Sequence, residues 1–377
     1  MSTLWAGCAP AADQPTSQLI DVAVDSTIDV DSLSVGLATR PPVSVVLDSP
    51  IYQFGGSPKT EAEELGVVDF GIVLSNGAAV LSDASNHRLV YLSPSGQVRA
   101  LFGRRGEGPA EIGQASGLYL RDDGKLVFRD AEHQRAGLFS PNDTALQFEG
   151  TFRIDSYARQ FCSLNGNTVG VRYRPQRQRT LEVMSDDGTE VKYIGLPLVR
   201  GVNQVNVIWT NGALMCLPQQ QRVIFAAQTG DVLAYHADGR LVWRRKIADF
   251  HPSQVKIVGG GVLLTAAPPP LNRSATVRSL VRLDSTTGLL QMILLKRNGE
   301  GKSSTVERVG IDSRIIDLEN GAELGRQSNL PLFISARDGL ALSTVEDPEP
   351  VVSLIRFRLI RQALPVVPEI DDRSKRE

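Results

Sequence analysis

The stretch DASNHRLVYLSPSG, residues 83–96, returns as DAEHQRAGLFSPND, residues 130–143. Asp, Ala, Arg, Ser and Pro coincide without a gap at a shift of 47. Shorter echoes follow in LEVMSDDG (181–188), VLAYHADG (232–239) and LVRLDSTTG (280–288), each an apolar run that ends in a polar turn. Returns about 45–51 residues apart mark one structural unit used several times. Within the first unit, 70–77 reads as a strand ending in Ser-Asn-Gly, followed by strands over 78–85, 88–96 and 97–103. Asn-Gly and Ser-Gly supply the positive φ that tight hairpins require. Side chains alternate along RLVYL and QVRALF, as they do in sheets stacked face to face.

A four-stranded unit of this length is one blade of a β-propeller. The spacing places blades over 66–104, 115–153, 159–196, 205–247 and 254–296. The last unit, 331–359, supplies only three strands, and its missing strand has a candidate in PVSVVLDSPIYQFGG, residues 42–56. Borrowing that strand closes the ring and leaves no free sheet edge at the junction. The expected fold is therefore all-β: a six-bladed β-propeller of four-stranded antiparallel blades over 42–361, closed by an N-terminal strand. Residues 302–330 read as an insertion between blades; if they formed part of a blade, the count would be seven.

The remaining segments read as a flexible leader and a tail. Residues 1–39 hold no Lys or Arg and five Asp, so 1–41 is expected to be a flexible acidic linker. Residues 362–377 are polar and broken by Pro, and are expected to be disordered. Leu4-Trp5-Ala6-Gly7-Cys8 resembles a bacterial lipobox, in which small residues precede a cysteine that is lipidated. Trp5 stands where Leu is usual, and the basic and apolar regions of a signal sequence are missing; a start further upstream would supply them.

LFGRRGEGPAEI, residues 101–112, is similar to the linker of the bacterial six-bladed β-propeller proteins, relatives of the NHL-repeat propellers. Asp83, Asn86 and Arg88 match the Asp-x-x-Asn-x-Arg pattern of those repeats; blade 2 keeps Asp130 and Arg135 with His133 in the Asn position. Many members of that family are envelope lipoproteins. The resemblance thus implies the cell envelope, periplasm or outer membrane with Cys8 as the anchor, with secretion as the alternative. It implies no activity, because propellers host enzymes and binding modules alike.

Composition narrows the function. A net charge of −2 gives no general attraction to nucleic acid, and no apolar run approaches the roughly 20 residues of a membrane-spanning helix, so membrane contact is expected only through a lipid anchor. Cys8, Cys162 and Cys216 are too few for a disulfide framework. Cys162 and Cys216 fall on neighbouring first strands, where two buried thiols are expected over a disulfide. A monomer without cofactor is expected.

Propeller topology gathers the loops between second and third strands on one rim, together with the linkers between blades. Arg104 and Arg105 open one such linker, and Arg172 and Arg174 end a second strand, within a run of arginines at 153, 159, 172, 174, 177 and 179. The guanidinium fork suits carboxylate or phosphate, so these four arginines are candidate ligands for a small anion or a partner's carboxylates. Pairing with nearby acids, such as Glu107 and Glu111, is the competing reading. His87 and His133 lie in equivalent loops and complete the candidate set. An axial metal would require further ligands from blades 3 to 5, whose corresponding loops offer none, and there is no GxSxG elbow. The leading expectation is a non-enzymatic binding propeller; the alternative is a metal-dependent lyase or lactonase with its site on the axis.

Overall fold

A computed structural model describes residues 40–362 together with Gln18 and Leu19. It leaves out 58–59, 143–144, 155–157, 159, 186–190, 199–205, 208–209, 253, 259–260, 266–272, 300–304 and 346–348. Six four-stranded antiparallel sheets stand in a ring. Blade 1 comprises Val68–Val73, Ala79–Asp83, Arg88–Leu92 and Val98–Phe102. Blades 2, 3 and 4 repeat that plan, starting at Ala115, Phe161 and Ala213. Blade 6 consists of Leu332–Arg337, Leu340–Val345, Val351–Arg361 and, as its outer strand, Val43–Gly55 from the N-terminal side. The closing strand pairs from Val43↔Arg361 to Gly55↔Val351.

Blade 5 departs from the sequence expectation. Its strands are Arg273–Arg282, Thr287–Asn298, Thr305–Asp317 and Glu323–Gln327. The expected insertion at 302–330 is therefore the second half of this blade, and the count stays at six. The Asp-Ser-Thr-Thr-Gly turn, read as the end of a third strand, joins the first strand to the second: the Leu283 N–H donates to Thr287 O at 2.9 Å. Turn chemistry is the same for every hairpin, so it marks a reversal without saying which reversal in the blade it is. Residues expected to begin blade 5 instead form a separate hairpin, Gln254–Val258 with Gly261–Thr265, to which Gln18–Leu19 adds a third strand.

The core lies between blades. Six clusters of buried apolar residues fill the six interfaces, from Phe54, Leu81 and Leu354 between blades 6 and 1 to Leu214, Phe225 and Val169 between blades 3 and 4. Alternation within each strand sends one set of side chains to each neighbour, so every blade is covered on both faces. Close packing at the axis requires small residues: a Cβ on Gly71 would stand 2.6 Å from Leu342 and 2.7 Å from Ile334. Gly77 and Gly96, both at φ 83°, close the hairpins of blade 1.

Strand direction defines two rims. Loops between second and third strands, and the linkers between blades, form the loop rim. Hairpins joining first to second and third to fourth strands form the hairpin rim.

Cys162 and Cys216, expected as thiols, form a disulfide with Cα atoms 5.6 Å apart. They lie on the first strands of blades 3 and 4, which run side by side at the axis. Sequence distance gives no hint of this closeness; only the closed ring supplies it.

Candidate functional site

On the loop rim, blades 1 and 2 share a built-in clamp. Asp83 ends a second strand and Arg88 begins the third, paired across the loop. Asp83 Oδ2 accepts from Asn86 Nδ2 at 2.8 Å and Arg88 Nε at 3.0 Å, while Oδ1 accepts the Gly66 N–H at 3.1 Å. Asp130 does the same in blade 2, accepting from His133 Nδ1 at 2.6 Å, Arg135 Nη2 at 3.4 Å and the N–H groups of Gly113 and Gln114. His133 thus fills the role of Asn86. His87 occupies the left-handed position before Arg88, at φ 52°, and donates from Nδ1 to Gly113 O at 2.6 Å. His87 ties its loop to the following linker, whereas His133 bonds within its own loop, to Asp130. Among the described residues, no three His, Cys, Asp or Glu side chains gather as metal ligands do.

Burial alone would raise the Asp130 carboxyl. The bonds from Gln114, His133 and Gly113 outweigh it and hold the carboxyl below its ordinary range. A depressed pKa adds stability that is complete above the unfolded value, about 3.9, and is lost as pH falls through the lower folded value. Asp130→Asn is expected to cost about 1–3 kcal/mol at pH 7. The deficit should shrink in urea melts at about pH 3, below that unfolded value; an equal deficit at both pH values would refute the assignment.

Arg104 Nε donates to Glu111 Oε1 at 2.8 Å, and Arg104 is otherwise open to solvent. Arg105 is exposed on the same linker. In blade 3 the clamp is reversed. The position that holds Asp83 and Asp130 in the first two blades holds Arg174, directly across from Arg179. Gln178 keeps the left-handed turn at φ 50°, so the backbone device survives while the acid is gone. Arg174 Nε reaches Glu182 Oε2 at 3.3 Å. Arg172 and the buried Arg129 of blade 2 also act on that carboxylate. Burial nevertheless pushes the Glu182 carboxyl above its usual range. Arg174 and Arg177 lie over the Tyr193 ring, each 5.9 Å from its centroid. Between Asp155 and Glu182 the chain holds no acid, yet Glu182 itself comes back across the strand pair to reach Arg174. Counting acids along the chain misses this.

The axis is an open channel of about 1160 Å³, lined by the first strands of the blades. None of the six candidate residues lines it. Near its loop-rim mouth, Arg278 of blade 5 spans blade 6 to pair with Asp69 of blade 1 at 2.7 Å. The exposed Gln114 and Asn211 stand at the same mouth.

No protein-family model matches the sequence, and no curated protein matches it. Solved structures do. A member of the DUF4221 family from Bacteroides vulgatus superposes with a TM-score of 0.55 at 11% identity, covering 86% of this chain and 100% of its own. A presumed exported protein from Bacteroides fragilis gives 0.53 at 10% identity, over 84% and 96%. The WD40 repeats of RRP9 give 0.50 at 11% identity, over 83% and 100%. Likeness at such low identity speaks to architecture, and it agrees with the six sheets and six interfaces seen directly: the chain is a six-bladed β-propeller.

Proposed function

We propose that this propeller is a non-enzymatic binding protein of the bacterial cell envelope that takes an anionic ligand at the loop rim of blade 3. The observation that carries the reading is the charge reversal at Arg174. Two blades use an aspartate there to hold the following arginine; the third sets Arg174 against Arg179, with Arg172 and Arg177 beside them. Like charges directly opposite each other on a sheet are destabilising, so such an arrangement favours an incoming anion. Glu182 meets Arg174 from the next strand. Arg104 and Arg105, one blade away, add to the field at the same rim.

Export is supported by the Cys162–Cys216 disulfide, because such bonds persist in oxidising compartments. One structural neighbour is itself a presumed exported protein. Lipidation at Cys8 extends the proposal; that residue lies outside the described ones. Free thiols at Cys162 and Cys216 in protein taken from its native cell would count against export.

The binding reading is tested by thermal shift with glucuronate and with inorganic phosphate. Wild-type protein should be stabilised by at least one of them. Arg172→Ala and Arg174→Ala, each compared with its own baseline, should bind about tenfold more weakly, the size of one lost charge-assisted hydrogen bond. Unchanged affinity in both variants would remove the site.

A further inference from the structure

We infer a second anion site, at the hairpin-rim mouth of the axial channel, built by Arg121, Arg282 and Arg337. It stands on different residues from the loop-rim site and does not depend on it.

The topology brings these three together although they are far apart in the chain. Arg282 and Arg337 are the last residues of the first strands of blades 5 and 6, and Arg121 follows the first strand of blade 2. First strands all run from the loop rim to the hairpin rim, so their ends meet at one mouth. All three residues line the channel. Blades 5 and 6 are neighbours and blade 2 lies across the ring, so the three residues stand around the opening.

The two mouths differ in charge. At the loop rim the channel-lining cation Arg278 is matched by Asp69. At the hairpin rim three arginines share the lining with Asp122, whose Oδ2 already accepts the Gly166 N–H at 3.2 Å. Arg282 is exposed, and its hydrogen bond goes to a neutral group, Gln219 Oε1, at 3.3 Å. Arg337 meets Asp338 only through Nε, at 3.4 Å, and that aspartate is largely exposed. Arg121 is more enclosed: it pairs with Asp123 at 3.2 Å and also acts on the Glu149 carboxylate. The exposed Arg337–Asp338 pair contributes little, so an incoming anion displaces it at small cost. Where cations outnumber anions in a lining with low-dielectric walls, the net positive field is focused on the opening.

The ligand class is a compact anion carrying several negative charges, such as a polycarboxylate or a polyphosphate. Guanidinium forks on opposite sides of one opening engage separate acidic groups, each in a two-bond geometry.

The experiment is calorimetric titration of the full chain with citrate and, separately, with inorganic tripolyphosphate at low ionic strength. Wild-type protein should bind at least one probe, more weakly as salt rises. Arg282→Ala and Arg337→Ala should each weaken binding about tenfold. Both side chains reach solvent, so the thermal transition should be kept, which separates lost binding from lost folding. Arg172→Ala and Arg174→Ala should leave this binding unchanged. If wild-type protein binds neither probe, or if the two mouth variants bind as wild type does, the site does not exist. Binding lost in the blade 3 variants alone would overturn it while leaving the loop-rim reading in place.

Discussion

A chain that starts at Gly56 is expected to lose the single cooperative unfolding transition that a chain starting at Arg40 retains. The strand Val43–Gly55 is the outer strand of blade 6 and joins the N-terminal side to the ring's last blade. Its Val43, Val45, Tyr52 and Phe54 are all at most 8% exposed. Burying such side chains contributes about 1.5–3 kcal/mol each. Their combined loss rivals the whole stability of a typical domain, about 5–15 kcal/mol. Removal also opens the ladder from Val351 to Arg361 and the amide of Gln327, which holds both the N–H and the C=O of Val45. The bared strand becomes an edge ready to pair with another chain, so aggregation should accompany the loss. A synthetic peptide of residues 42–56 added in trans should restore part of the transition. Melting followed by circular dichroism decides the matter; equal transitions for the two truncated chains would show that the ring does not need its closing strand.

The second large effect is expected at the disulfide. Cys162→Ala with Cys216→Ala, or reduction of the wild type, should lower the unfolding free energy by about 4 kcal/mol from loop-closure entropy alone. The figure follows from the separation of 54 residues between the two cysteines. The bond's position adds weight: it joins blades 3 and 4 at the axis, across the ring from the junction of blades 6 and 1. Urea unfolding with and without reductant measures the difference, and coincident curves would show that the bridge is not formed.

How much of this was legible in the residues depends on the range of the interaction concerned. Hairpins are local. Ser-Asn-Gly at 75–77 and Ser-Pro-Ser-Gly at 93–96 close on themselves through positive φ and short polar side chains, so turn and strand could be read together and the blade period followed. Blades 1 to 4, and blade 6 with its borrowed strand, came from that reading. Blade 5 did not, because its second and third strands run 12 and 13 residues, longer than any strand of blades 1 to 4. A turn there looks like any other turn, and the reading slipped by two strands.

The sites divide in the same way. The Asp83–Arg88 and Asp130–Arg135 clamps span five residues each, and the pattern that encodes them lies open in the repeat. The partner of Arg174 is Glu182 on the next strand, and that pairing depends on register across a bulge between Val171 and Arg174. The disulfide joins residues whose nearness exists only once blades 3 and 4 stand side by side. The arginine mouth draws on positions 121, 282 and 337, which share no motif and no neighbourhood in the chain. The sequence by itself determined the blade, its turns and the strand that closes the ring, because those follow from local backbone chemistry and alternation. Only the tertiary structure decided which charges meet, since closing the ring sets the ends of six distant strands around one axis.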